Sequence, residues 1–225
     1  NLLAIGSTTS QITYIKDGIQ KQIECLPSSI TKMWGSSGKN IYVVGYNGNI
    51  AHYNGESWQK IESGTKTLIS DVWGTNNNTV YCTVSNLFIK PEGNDKKILK
   101  ITEVNNVKEI NWEVNRILNS IWSDNNTQKY VGGDGLFVNN TGSNWEEIKL
   151  TKNYSISLIR GTEKNNIVLA GSFGLTAHFN GISWKAFDEL SLPDGYYSSL
   201  ALENKTVVIV GANNNQAIVT IGKQN

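Results

Sequence analysis

The two histidines of the chain, His52 and His178, are the first residues to consider as metal ligands or acid–base groups. Each stands just before an aromatic residue and an Asn-Gly pair, so both occupy the same place in a repeated segment. Imidazole ligands must converge on one ion, whereas equivalent positions of distant repeats lie apart. We therefore interpret both histidines as part of the repeat and predict no metal site and no cofactor.

Arginine binds carboxylates through two parallel hydrogen bonds, and this chain has only Arg116 and Arg160. Two arginines are too few for a site that binds a carboxylate through several arginine side chains. Arg160 is nevertheless the one candidate binding residue, because it takes a repeat position that is Trp elsewhere. Either its guanidinium contacts an anion, or its alkyl stem fills the Trp slot while the guanidinium reaches water or a carbonyl.

Carboxyl groups could support glycoside hydrolysis if two of them faced each other across the scissile bond. The acidic candidates occupy unrelated repeat positions, and we interpret them as solvated surface charges: Asp71, Glu113, Asp124, Glu163 and Asp188. The Asn-rich loops at 76–78 and 124–126 lack the spacing of a calcium loop. No catalytic residue is predicted.

Cys25 and Cys82 are the only pair that could form a disulfide. They fall two repeats apart, in an outer strand and a central strand, which is too far for a bridge. We interpret both as small buried hydrophobic residues.

An internal repeat of about 40 residues positions all of these groups. Its copies are MWGSSGKNIYVVG at 33–45, VWGTNNNTVYCTV at 72–84, IWSDNNTQKYVGG at 121–133 and IRGTEKNNIVLAG at 159–171. A second Trp follows each copy: Trp58, Trp112, Trp145 and Trp184. Short strands at this period predict a β-propeller, because a small sheet buries its faces only against neighbouring blades.

Four strands can be placed within one repeat, as residues 30–61 illustrate. ITKMW, IYVVG, NIAHY and ESWQKI alternate or run apolar as strands do. Asn47-Gly48 and Asn54-Gly55 supply the positive φ angles of tight hairpin turns. Each blade is therefore predicted to be a four-stranded antiparallel sheet.

Six repeats span one predicted domain over 1–225, with the first lacking its first strand and the last lacking its fourth. Their bounds are about 1–29, 30–67, 68–115, 116–154, 155–197 and 198–225. We predict an all-β propeller of six blades, with seven blades, one of them missing, as the alternative. The third repeat carries extra residues between Leu87 and Trp112, which we interpret as an elongated hairpin, either simply solvated or a partner-docking element.

The net charge of +1 gives no electrostatic reason to expect nucleic acid as a partner. No apolar run is long enough for a membrane span.

The segments HYNGESW, NNTGSNW and HFNGISW resemble a degenerate form of the Asp-box turn of sialidase-type propellers, with Asn or Thr in place of Asp. The WGxxxxxxxYxVG pattern is similar to repeats of bacterial surface and secreted propellers akin to photosystem II assembly factor-like proteins. This resemblance covers nearly the whole chain. It implies an extracytoplasmic bacterial protein, whether secreted, periplasmic or on the cell surface.

Three functions fit a repeat without a catalytic constellation. The prediction is a non-catalytic propeller whose loops bind another protein or a neighbouring domain. A glycan-binding lectin is the alternative, because seven Trp and many Asn residues suit sugars. A glycosidase-like hydrolase is the third hypothesis, and the shortage of arginines and of paired carboxylates counts against it.

Overall fold

The computed structural model describes residues 2–5, 11–16, 19–24, 29–75, 78–86, 95–124, 127–140 and 144–223. Up to residue 24 it describes the backbone alone, apart from the side chain of Ile19. The chain divides into two compact units, residues 1–112 and 113–225. Each unit is described by itself, and a single domain over 1–225 stays a prediction.

The N-terminal segment forms a three-stranded antiparallel sheet. Its strands, in sheet order, are β1 (Leu2–Ile5), β2 (Gln11–Lys16) and β3 (Ile19–Glu24). These are the three strands predicted for the first repeat. Ile19, its one described side chain, is exposed.

Two four-stranded antiparallel sheets follow in the first compact unit. One consists of β4 (Ile30–Ser37), β5 (Asn40–Gly45), β6 (Ile50–Tyr53) and β7 (Trp58–Ile61). The other consists of β8 (Ile69–Gly74), β9 (Val80–Val84), β10 (Lys97–Thr102) and β11 (Asn106–Ile110). Strands consecutive in sequence are neighbours in each sheet, as short hairpin connections require.

The second compact unit contains two four-stranded sheets and one three-stranded sheet. The first consists of β12 (Leu118–Ser123), β13 (Lys129–Gly133), β14 (Gly135–Asn139) and β15 (Glu146–Ile148). The second consists of β16 (Ile156–Glu163), β17 (Asn166–Gly171), β18 (Thr176–Phe179) and β19 (Trp184–Ala186). The third consists of β20 (Gly195–Glu203), β21 (Thr206–Asn213) and β22 (Gln216–Lys223).

The second strand of each four-stranded sheet carries the core. β5, β9, β13 and β17 are buried along nearly their whole length, as expected of apolar strands that are covered on both faces. The equivalent strand of the last sheet, β21, is only half-buried, and Ile209 is its one buried residue. The second strand of the C-terminal sheet is therefore less completely covered than that of the four-stranded sheets.

The fold is an all-β propeller, but the prediction of six blades is wrong. Five sheets serve as blades, four with four strands and the C-terminal one, β20–β22, with three. A sheet becomes a blade by packing its faces on its neighbours. The sheet β1–β3, predicted as the first blade, is not among these five. The alternative of seven blades is wrong as well, because the fold has five.

The repeat Trp of a first strand packs on a glycine in the first strand of the next blade. Trp34 lies against Gly74, and Trp122 lies against Gly161. The indole Nε1 of Trp122 also donates a hydrogen bond to the Gly161 carbonyl at 2.8 Å. A Cβ atom at either glycine would overlap the ring, which explains the Trp-Gly pairing of the repeat.

The segment between Leu87 and Trp112 contains two strands that pair as a hairpin, and the prediction that the hairpin is elongated falls partly on residues 87–94, so it stays a prediction. Its strands β10 and β11 are the regular third and fourth strands of their blade. Val107 pairs with Ile101 as Trp58 pairs with Tyr53 in the preceding blade. The position of the second repeat Trp is therefore taken here by Val107 and not by Trp112. The extra residues precede β10, and residues 87–94 among them lie outside the described part of the chain.

No helix within the described residues combines the length and the apolar character that crossing a membrane requires.

Candidate functional site

Three exposed aromatic residues of the second compact unit form the candidate site, here called the aromatic patch. Tyr154 precedes β16, Phe173 lies in the turn between β17 and β18, and Tyr196 lies in β20. Their exposed fractions are 37%, 48% and 53%. The ring centroids of Tyr154 and Phe173 are 5.0 Å apart, and Tyr196 forms a β-bridge with Ser172, next to Phe173.

Phe173 adopts a backbone conformation that its residue type disfavours. Its φ angle is 55°, in the left-handed region, which costs an ordinary residue roughly 1–2 kcal/mol. The turn 171–175 matches the turn 45–49, because in both the first N–H donates to the last carbonyl, at 2.9 and 3.0 Å. Phe173 therefore takes the position of Asn47 in the blade β4–β7, the first of the five blades. Asn47 has a φ angle of 57°. Asparagine tolerates this conformation far better than a bulky aromatic residue.

Backbone hydrogen bonds on both sides hold Phe173 in this strained conformation. Its N–H donates to the Gly195 carbonyl at 2.9 Å, and its carbonyl accepts from the Leu192 N–H at 3.1 Å. Strain of this kind persists only where the surroundings impose it, and it is concentrated at binding sites. The ring is thus presented to solvent from a fixed backbone.

A pocket of about 230 Å³ adjoins the aromatic patch and shares Tyr154 with it. Its lining combines the apolar side chains of Leu136 and Ile148 with the charged side chains of Glu147 and Lys152. Lys152 forms an ion pair with Asp188 at 2.8 Å, and this hydrogen bond raises the pKa of Lys152. Such a mixed lining suits a segment that presents both apolar and charged groups.

Arg160, the predicted binding residue, lies half-buried in β16. Its Nη1 donates to the Ile159 carbonyl at 2.8 Å and to the Ser120 hydroxyl at 3.1 Å. These contacts tie the guanidinium to the seam between two blades of the second compact unit. An anion contact at Arg160 stays a prediction.

His52 and His178 have the same surroundings in two different blades. The Nε2 atom of His52 lies 2.8 Å from Oδ1 of Asn40, and that of His178 lies 3.0 Å from Oδ1 of Asn166. Burial lowers the pKa of both imidazoles. No cluster of three His, Cys, Asp or Glu side chains able to hold a metal ion occurs among the described residues.

Asp71 contradicts the prediction that the acidic candidates are solvated. It is fully buried in β8, next to a register shift between Ile69 and Asp71. Burial, followed by the charge of Asp71, raises the pKa of Cys82. Cys82 is a free, buried thiol, and Cys25 lies outside the described residues.

Asp124 is half-buried and closes a turn, since it accepts the Gln128 N–H at 2.6 Å and pairs with Lys164 at 3.2 Å. The other acidic candidates are exposed: Glu113, Glu163 and Asp188.

The Asn-Gly turns that resemble an Asp-box are held by the asparagine side chain. Oδ1 of Asn54 accepts the N–H groups of Glu56 and Ser57, each at 2.9 Å. Asn180 accepts the N–H groups of Ile182 and Ser183 at the same distances. These asparagines are thus occupied in forming the turns.

Phe173 was not a candidate from the sequence, although the sequence carries a signal for it. Residues 172–174 read SFG where the first blade reads YNG at 46–48. A phenylalanine directly before a turn glycine, in the place of an asparagine, marks a departure from the turn chemistry of the repeat.

No family model matches the sequence, and no curated protein sequence matches it either. Solved structures do match. YCF48 bound to D1 peptide is 12% identical, with a TM-score of 0.71 over 96% of this chain and 73% of that chain. YCF48 from Cyanidioschyzon merolae is 13% identical, with a TM-score of 0.67 over 90% of this chain and 72% of that chain. Regucalcin, a calcium-binding protein from Agrobacterium tumefaciens, is 11% identical, with a TM-score of 0.65 over 89% and 74%. At these identities the likeness establishes the propeller fold.

Proposed function

We propose that this chain is a non-catalytic propeller that binds a protein partner through the aromatic patch. The observation that carries the proposal is the left-handed backbone of Phe173, which supports a ring that is 48% exposed. A ring that is 48% exposed recovers only part of its burial energy within the chain, so the strain is only partly offset by stability. Burial of the ring against a partner supplies the rest.

The residue types of the patch favour a protein as the partner. Tyrosine and phenylalanine are enriched at protein interfaces. The YCF48 structure with a D1 peptide shows that a propeller of similar fold binds a peptide. The lectin alternative was based on Trp and Asn residues, and all seven Trp side chains of this chain are buried or half-buried.

Selection of peptides from a random phage-displayed library tests the proposal. Peptides selected on the wild-type chain should lose binding to Phe173→Asn, a variant that restores the residue of the first blade. Ile182→Asn is the matched control, because Ile182 is 90% exposed in another turn of the same blade. Equal peptide binding by the wild type and Phe173→Asn would contradict the proposal.

A glycan array with the same three proteins separates the lectin alternative. Sugar binding that is lost in Phe173→Asn but kept in Ile182→Asn would identify the patch as a lectin site instead.

We also propose that the chain acts outside the cytoplasm, on the basis of its resemblance to secreted and surface propellers. Fractionation of cells that express the complete gene tests this location. Recovery of the protein in the cytoplasm would contradict it.

A further inference from the structure

Among the described residues, the C-terminal blade has no strand on the outer edge of β22. Strand β22 is eight residues long and pairs with β21, and no described strand pairs with its other edge. Val219 and Ile221 of β22 are 62% and 63% exposed. Long apolar edge strands are usually covered, since their free N–H and carbonyl groups pair readily with another strand.

The contact between the two preceding blades, β12–β15 and β16–β19, shows which side chains normally fill the space beside a third and a fourth strand. There the rings of Phe179 and Trp184, from the third and fourth strands of one blade, pack on Tyr130 from the second strand of the preceding blade. The centroid distances to Tyr130 are 6.2 and 6.0 Å, and Phe179 and Trp184 stack at 5.3 Å. Three aromatic side chains therefore close that seam.

The strand register identifies the equivalent positions in the last seam. Val168 pairs with Arg160 as Tyr130 pairs with Trp122, so Val168 takes the place of Tyr130. Gly222 pairs with Val207 as Phe179 pairs with Ile167, so Gly222 takes the place of Phe179. No described strand supplies an equivalent of Trp184. Two rings are thus replaced by smaller residues, and the third has no counterpart among the described residues.

A cavity of about 270 Å³ lies where these rings would be. Val168, Val207 and Gly222 line it, together with Leu202 and Thr220. Its lining is mostly apolar, and residues 220–223 of β22 form part of it. The cavity lies toward the end of β20, whereas Tyr196 of the aromatic patch lies near the start of that strand.

The charges around the cavity are unbalanced. Lys205 and Lys223 line it against a single carboxylate, that of Glu189. An entering segment that carries an acidic residue next to its apolar one would therefore be favoured.

We propose that β22 accepts an extended segment of a partner protein as the fourth strand of this blade. The segment pairs antiparallel with β22, as β19 pairs with β18. One aromatic side chain lies opposite Gly222 and enters the cavity, and an acidic residue nearby faces the two lysines. This is binding by strand addition, at a site separate from the aromatic patch.

A synthetic peptide with the sequence of residues 182–189, ISWKAFDE, is the probe, since it contains the fourth strand of the preceding blade and two acidic residues. It should bind the chain saturably and slow the hydrogen exchange of the β22 amides, as measured by NMR. The same peptide with Trp184→Ala should bind at least about tenfold more weakly.

Val168→Tyr is the sharpest protein variant, because the equivalent residues in three other blades are Tyr42, Tyr81 and Tyr130. The new ring should fill the cavity and weaken peptide binding about tenfold without lowering the melting temperature. Ile182→Thr, an exposed change away from the cavity, should bind as the wild type does. If Val168→Tyr fails to fold, the peptide with Trp184→Ala tests the same point on the unaltered chain.

Three results would overturn the proposal. The first is the absence of saturable binding up to about 1 mM peptide. The second is equal binding by the wild type and a folded Val168→Tyr. The third is strong protection of the β22 amides in the free chain, which would mean that the chain itself or a second copy already covers the edge. Sedimentation at several concentrations distinguishes these two sources of protection.

Discussion

The ring of Phe173 lies 5.0 Å from the ring of Tyr154, while the Phe173 backbone holds a left-handed conformation. The equivalent turn of the first blade places Asn47 in the same conformation. Both turns close with a hydrogen bond from the first N–H to the last carbonyl, and Phe173 is further held by its hydrogen bonds with Gly195 and Leu192. The side chain at the left-handed position also differs. An aromatic ring at this position imposes backbone strain and provides an exposed aromatic surface.

Exchanging the residues at positions 173 and 47 should separate the cost of the backbone strain from the stabilisation by the ring contact. Phe173→Asn should leave the free energy of unfolding unchanged or raise it by up to about 1 kcal/mol, because relief of roughly 1–2 kcal/mol of strain offsets a ring pair of about 0.5–1.5 kcal/mol. Asn47→Phe should lower it by about 1 kcal/mol, since it introduces the strain. Urea denaturation measures both. A clear loss of stability in Phe173→Asn would show that the ring serves the fold.

The Trp-glycine seams should be intolerant of a single methyl group. A Cβ atom at Gly74 would overlap the ring of Trp34, so Gly74→Ala should lower the free energy of unfolding by about 1–3 kcal/mol. Gly38→Ala is the control, because nothing lies within 4 Å of its added Cβ. Thermal denaturation of the two variants compares them directly. Similar melting temperatures would mean that the seam rearranges freely.

His52, which is buried, and His178, which is half-buried, should make the fold sensitive to acid. Burial lowers the pKa of His52 and His178 below the ordinary 6.5 in the folded chain, so the unfolded chain binds protons more readily. The stabilisation is complete above about pH 6.5 and is lost as pH falls from there toward the lowered folded pKa.

Urea denaturation at about pH 7 and pH 5 measures this effect. Stability should fall more in the wild type than in the double variant His52→Gln, His178→Gln, in which carboxylates alone respond to acid. The same pH dependence in both proteins would rule out the imidazoles as the cause.

The sequence predicted the strands well because each blade repeats its turn chemistry. Asn47-Gly48 and Asn54-Gly55 specify hairpins locally, and the apolar strand β5 specifies burial locally. The number of blades depends instead on which sheets pack together, and a local pattern does not determine that. Trp112 shows the same limit, because its type matched the repeat while the pairing of Val107 with Ile101 set the true register.

The candidate site was harder to predict because it depends on backbone conformation and on the distance between blades. Tyr154 and Phe173 are far from each other in the repeat pattern, and only the fold brings their rings together. The cavity beside Gly222 is likewise visible only when its neighbours are compared with Phe179 and Tyr130 in the adjacent seam. Asp71 was misassigned because a charged residue type predicts exposure, whereas the packing around β8 buries this position.

Arg160 should be explained by the residue that takes the place of the repeat glycine in the first strand of the next blade. Trp34 and Trp122 pack on Gly74 and Gly161, whereas the same register position in β20 is Leu202, which pairs with Val207 as Gly161 pairs with Ile167. A leucine leaves no flat surface for an indole ring.

Arg160→Trp alone should therefore lower the free energy of unfolding by about 1–3 kcal/mol through overpacking. Adding Leu202→Gly should restore part of that loss, although Leu202→Gly is destabilising by itself. The double-mutant cycle should give a favourable coupling of at least about 0.5 kcal/mol, measured by urea denaturation of the four proteins. Additive effects would show that Arg160 occupies its position for another reason, and would return attention to its guanidinium as an anion contact.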